Sequence, residues 1–223
     1  MLFTLLSVLT ISSDTPTDQI DYYGIFTSGA GAGVAMLVLG LLALTTEFRQ
    51  KTITPSLLAT PNRWRFLGGK TLAYVAIAFV YGLICLVINI LLAVLCLHLK
   101  GFPVSFGHGA SGGIVKEFIS FVLLAFFGIG LGALVRNQAA AMVIGIVYLF
   151  IINPLLAGIP WIRKAYPFEP GGALGVFNSQ HASDIGTSDI PHLQPLVGGV
   201  ILFVWCVGLL LAGGYLSLNR DIS

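Results

Sequence analysis

Residues 47–70 read EFRQKTITPSLLATPNRWRFLGGK, a polar and strongly basic stretch between two uncharged apolar runs at 24–46 and 71–97. About 20 apolar residues rising about 1.5 Å each cross a hydrocarbon core of about 30 Å. Both flanking runs reach that length, so the stretch reads as a loop between two spanning helices.

Within it, Thr54-Pro55 and Thr60-Pro61 each place an N-cap hydroxyl before a proline at the first helical position. The second start also ends the first helix, because a residue before proline avoids the helical region. The expectation is a short helix over Pro55–Ala59, a sharp turn, and a new helix from Pro61 through Arg63, Arg65 and Lys70 into the membrane. Leu57 and Leu58 give the short helix an apolar face that needs cover in water. Two readings of that face stand open. The leucines dip into a leaflet whose anionic headgroups the cations hold, or they form a peg for a soluble partner.

Outward from this loop, the whole composition is that of a membrane protein. The 223 residues are 57% hydrophobic and only 9% charged, where soluble domains carry about 25% charge. Mean hydropathy is +0.95. The fold class expected is an all-α polytopic membrane protein, with residues 1–223 forming one transmembrane domain. Five complete runs are read at 24–46, 71–97, 118–135, 138–158 and 196–218, and all 11 Lys/Arg and 9 Asp/Glu lie outside them. The physical cause is a cost of about 2.5–3.5 kcal/mol for Arg, Lys or Asp at the centre of a spanning helix. Residues 1–11, MLFTLLSVLTI, cover about half a hydrocarbon core. They lack the basic leader and the cleavage site of a signal peptide, and they read as the outer half of a first span whose beginning is missing.

Orientation follows from Lys and Arg in the connecting segments. The side of residues 47–70 carries Arg49, Lys51, Arg63, Arg65, Lys70, Arg136 and Arg220, against Lys100, Lys116, Arg163 and Lys164 opposite. That side is expected to be cytoplasmic, with the C-terminus on it, giving six spans with both ends inside. Of the outer loops, 98–117 is short and rich in glycine. The longer one, 159–195, holds five prolines and apolar patches such as Ile159-Pro160-Trp161-Ile162, which favour a segment at headgroup level or dipping into the bilayer.

Inside the spans, small residues pair at four-residue spacing in Gly29/Gly33, Gly128/Gly132, Ala141/Gly145 and Gly208/Ala212. Such pairs let helix backbones approach, within one bundle or at a subunit interface. Asn89 and Asn153-Pro154 are the notable polar groups there, read as lining a pathway or as bonding between helices. Pro154 should kink its helix. Cys85, Cys96 and Cys206 sit in apolar runs without metal-ligand spacing and read as packing residues. A net charge of +2 gives no basis for nucleic-acid binding. The spans carry no ionisable residue of the kind an ion-coupled carrier uses. There is no H-E-x-x-H, no paired acid and no G-x-x-x-x-G-K-[ST] phosphate loop. Neither an enzyme nor an ATPase is expected.

A span leading into E-[FY]-R-x-x-T-[IL], a short leucine helix, P-x-R and an apolar-flanked lysine resembles the permease subunits of type-2 ATP-binding cassette (ABC) exporters. The matching residues are Glu47-Phe48-Arg49, Lys51-Thr52-Ile53-Thr54, Leu57-Leu58, Pro61-Asn62-Arg63 and Gly69-Lys70. A second matching stretch runs from Phe126 to Asn137, FFGIGLGALVRN, a glycine-studded span ending in a lone arginine and followed by Ala139-Ala140-Ala141. The amphipathic cytoplasmic helix that members carry before the first span has no counterpart in this sequence.

The resemblance implies a six-span bundle in the plasma membrane, paired with a second permease copy, identical or not. It also implies a separate cytoplasmic ATPase that binds ATP and Mg. The coupling residues it implies are Glu47, Arg49, Thr52, Thr54, Pro55, Leu57, Leu58, Pro61 and Arg63, with the short helix docked in a groove of the ATPase. Export of a small or amphipathic substrate is the implied function. The alternatives are a secondary transporter and a non-transporting scaffold or assembly protein.

Overall fold

In a computed structural model the chain is all-helical over the described residues, which are residue 7 and residues 22–28, 30–50, 63–104, 109–135, 137–159, 161–179 and 193–219. The half-span at 1–11 and the short helix at 55–59 fall outside them. The helices are α1 (Tyr22–Phe26), α2 (Ala30–Gln50), α3 (Arg63–Leu99), α4 (Ala110–Leu134), α5 (Gln138–Val147), α6 (Asn153–Gly158), α7 (Pro170–Asn178) and α8 (Pro195–Asn219). A π-helical turn, Tyr148–Ile152, joins α5 to α6, and a 3₁₀ turn, Tyr166–Phe168, precedes α7.

Among the described residues, five stretches are long and apolar enough to cross a membrane: Tyr22–Thr46, Gly68–Leu99, Ala110–Leu134, Gln138–Gly158 and Pro195–Tyr215. In hydrocarbon a backbone must satisfy its own polar groups, which makes helices the available answer for such sequences. The protein is a multi-pass membrane protein.

The first of these stretches is interrupted between α1 and α2, and side chains take up three carbonyls beside the break. Thr27 Oγ1 donates to the Tyr23 carbonyl at 2.7 Å and Ser28 Oγ to the Ile25 carbonyl at 2.7 Å. Asn89 Nδ2, reaching across from α3, donates to the Phe26 carbonyl at 3.0 Å. Asn89 is thus a buried stitch between helices, the bonding alternative of the two readings for this residue.

α2 and α4 form the centre. Gly40 faces Ala125 and Gly128, and a Cβ on Gly128 would come within 3.0 Å of the Leu41 nitrogen and 3.1 Å of the Gly40 Cα. Gly132 approaches the Leu41 backbone in the same way, and Gly145 of α5 meets the Leu41 side chain. Small residues here serve contacts within one chain, whereas Gly208 has open space where a Cβ would stand. Leu37, Leu41, Phe127, Leu202 and Cys206 fill the interior around that seam.

Two boundaries differ from the apolar runs. α3 is 37 residues, about 55 Å at 1.5 Å per residue, so it overshoots a hydrocarbon core. It closes on Gly101 at φ 77°, with Phe102 N–H bonding the Leu97 carbonyl and Gly101 N–H the His98 carbonyl, the paired bonds of a Schellman ending. α4 begins at Ala110, eight residues before the apolar run at 118, and takes Lys116 and Glu117 into the helix. Glu117 is only 5% exposed. Neighbouring elements make that start tolerable: Lys116 Nζ donates to the Ser179 carbonyl at 2.8 Å and Ser120 Oγ to Asn178 Oδ1 at 2.7 Å.

After α6 the chain turns back into the bundle. α7 buries Pro170, Gly171, Gly172, Ala173, Val176 and Phe177, with Gly198 and Gly199 of α8 lying against Ala173 and Phe177. The α7 part of the proline-rich loop therefore packs against protein, whereas in the patch at 159–162 Trp161 is 91% exposed and Ile162 38%.

Candidate functional site

The end of α2 meets the start of α5 at one pole of the bundle. Arg49, in the last turn of α2, is exposed and its Nη1 donates to Gln138 Oε1 at the start of α5, at 3.3 Å. Asn137 caps α5, its Oδ1 accepting from Ala139 N–H at 3.0 Å and Ala140 N–H at 3.3 Å. Ala43 and Leu44 of α2 pack with Tyr74 and Val75 of α3 just inside this pole. Glu47 lies on α2 and Arg63 opens α3. Thr52, Thr54, Pro55, Leu57, Leu58 and Pro61 lie outside the described residues. The segment that holds them joins α2 to α3 at the Arg49 pole.

A second constellation lies far from that pole. Pro154 has no N–H, and its ring crowds the carbonyl four residues back. The helix relaxes by widening into the π turn, in which Asn153 N–H bonds the Tyr148 carbonyl five residues earlier. The widening has a consequence for side chains. Residues five apart in an α-helix point about 140° apart, but a π turn brings them close to one face. Both Tyr148 and Asn153 accordingly address the returning hairpin. Tyr148 OH donates to Glu169 Oε1 and accepts from Gly171 N–H at 2.9 Å. Asn153 Oδ1 accepts from Tyr166 OH at 3.0 Å. Glu169 caps α7, its Oε2 accepting from Gly172 N–H at 3.2 Å, and Trp205 Nε1 donates to the Phe168 carbonyl at 2.9 Å.

The depth of this cluster can be read three ways. Tyr148 lies ten residues before the end of α6 and Trp205 ten residues after the start of α8, each about 15 Å from that end at 1.5 Å per residue. α7 descends nine residues, about 13 Å, from Asn178, which Tyr23 OH and Ser120 hold at the pole opposite Arg49. All three agree. Phe168 and Glu169 lie level with the middle of helices long enough to cross a membrane.

Moving a carboxylate there costs several kcal/mol even after relaxation. The hydrogen bonds from the Tyr148 hydroxyl and the Gly172 N–H offset part of that cost, and the positive end of α7 favours a negative charge by up to about 2 kcal/mol. Beside the carboxylate lies a groove of about 480 Å³, walled by Phe127 and Leu131 of α4, Ile144 of α5, Leu209 of α8, and Phe168 and Trp205. Ile144, Phe168 and Trp205 remain exposed along it, so it opens sideways.

The apolar runs hold no charged residue, but the fold brings Glu169 from the proline-rich loop against Tyr148, and Glu117, just before the run at 118–135, is buried in α4. Tyr148, Tyr166, Glu169 and Trp205 were not singled out by motif or periodicity. The one local sign was Pro170 at a first helical position followed by two glycines.

All-helical architecture with five apolar helices among the described residues defines the class, a polytopic membrane protein. No protein-family model matches the chain, and no curated protein sequence aligns with it at a significant level.

Proposed function

We propose that the chain is the permease subunit of an ATP-driven exporter of the type-2 ABC kind, working with a separate cytoplasmic ATPase and a second permease copy in the plasma membrane. The observation that carries this reading is the contact at the end of α2, where Arg49 reaches Gln138 at the start of α5, in the chain just before the basic segment between α2 and α3. A pull on that segment by a partner passes directly into α2 and α3 and, through Arg49, into α5.

α5 leads into the π turn and so to Tyr148 and Glu169. Movement at one pole is thereby linked to the mid-depth groove by contiguous helix, as a rigid-body switch between two access states requires. Transport follows where the cargo binds the two states differently. The chain supplies the pathway, and ATP and Mg belong to the partner. The cytoplasmic pole is the Arg49 pole, and the C-terminus, after α8, lies on the same side. The nearly all-apolar groove suits a small apolar or amphipathic cargo.

Ion-coupled transport is the second reading, and Glu169 is the observation that favours it, since a carboxylate at mid-depth is the usual instrument of proton coupling.

Sided labelling tests the docking claim. In a chain whose native cysteines are replaced by alanine, Ser56→Cys should react with an impermeant maleimide only from the cytoplasmic face. Co-expression of an ATPase encoded beside this chain should protect it. Labelling from outside, or unchanged labelling with the ATPase present, would remove the basis for the assignment.

A further inference from the structure

Glu169 is held by Tyr148 OH and the Gly172 N–H. An ionised carboxylate offers about four acceptor positions, so its two partners leave capacity unused. Among the described residues no lysine or arginine pairs with it, and it is the one charged residue in the wall of the groove. The groove itself is apolar, opens sideways at mid-depth, and has a volume of about 480 Å³, within the range of small-molecule sites. A negative group at the edge of an apolar slot, in a medium that offers no counter-ion, selects by charge sign as well as by size.

We propose that this groove binds monovalent organic cations with a large apolar body, the cationic centre lying beside Glu169 and the body along Phe127, Ile144 and Leu209. The assignment rests on reading the chain as a transport protein, because it names the class of cargo. Access is from the bilayer, where such amphiphiles concentrate. Neutral molecules of the same shape gain the apolar contacts alone, and anions are repelled.

Two hydrophobic ions of matched shape and opposite charge, tetraphenylphosphonium and tetraphenylborate, test this with the full chain in phosphatidylcholine nanodiscs and no ATPase present. Equilibrium dialysis of each radiolabelled ion, with empty nanodiscs subtracted, should show saturable binding of the cation about tenfold or more tighter than that of the anion, a factor of ten being a free-energy difference readily resolved. Glu169→Gln removes the charge while its one amide oxygen can still accept from the Gly172 N–H and its Nε2 faces the Tyr148 hydroxyl, and should abolish the preference. Ile144→Trp fills the groove from an exposed position without touching the Glu169 hydrogen bonds, and should weaken cation binding about tenfold with an unchanged unfolding temperature. Equal binding of the two ions, no saturable cation binding, or a cation preference that survives Glu169→Gln would each overturn the proposal. Since no ATPase takes part, failed ATP coupling leaves this result standing, and failure here leaves the coupling reading untouched.

Discussion

Leu57→Asp is expected to abolish ATP-driven export and ATPase binding while the protein still inserts and folds. Leu57 and Leu58 are adjacent apolar residues in an otherwise polar loop, between two Thr-Pro helix starts. In the proposed complex they fill a groove of the ATPase. Apolar anchors at the centre of an interface cost about 2 kcal/mol or more when truncated, about 30-fold in Kd, and a charge in their place adds desolvation of a carboxylate. The loop lies outside the spans, so helix packing loses nothing. ATPase co-purification and transport should therefore fall together, with expression and unfolding temperature unchanged. Had the leucines been anchored in lipid instead, Leu57→Asp would leave ATPase binding intact, and that outcome separates the two readings.

Gly128→Val is expected to do the reverse, removing folded protein altogether. Its Cβ would come within 3.0 Å of the Leu41 nitrogen and 3.1 Å of the Gly40 Cα. These are backbone atoms, which cannot rotate away as a side-chain tip does. α2 and α4 must separate, and the contacts made by Leu37, Leu41 and Phe127 along the seam are lost with them. Overpacking costs typically about 1–3 kcal/mol, and with a rigid obstacle the upper end applies. Monodisperse yield in detergent and the unfolding temperature should both drop sharply. Gly208→Ala is the control, since nothing stands within 4 Å of a Cβ there. Equal tolerance of both changes would show that the α2–α4 approach is not what holds the bundle.

The helices were legible in the sequence because one solvent effect dictates them. The runs at 71–97, 138–158 and 196–218 lie within helical stretches, as an apolar medium that forbids open backbone demands. Where protein replaces lipid as the neighbour, that rule loosens. α4 starts eight residues early because Ser179 and Asn178 satisfy Lys116 and Ser120. The break at Thr27-Ser28 is permitted by Asn89, 63 residues away. Gly40 matters as much as Gly128 in the central seam, but it has no small residue four positions off and so escaped the spacing rule.

The mid-depth cluster was hidden for a different reason. Glu169 lies in a proline-rich loop, and its depth depends on how far the chain returns between α6 and α7, a tertiary quantity. Pro154 was visible as a kink. The π turn it produces, and the shared face this gives Tyr148 and Asn153, depend on the hairpin that receives them.

ATP coupling through a separate subunit is tested most directly by native mass spectrometry of the tagged, detergent-solubilised chain, co-expressed with any ABC ATPase found encoded beside it. The expected spectrum shows two permease chains with two ATPase subunits, and Leu57→Asp should strip the ATPases from that assembly. A chain found alone or only with itself under conditions that keep the wild-type membrane assembly intact would contradict ATP coupling and favour the ion-coupled carrier that Glu169 makes chemically reasonable.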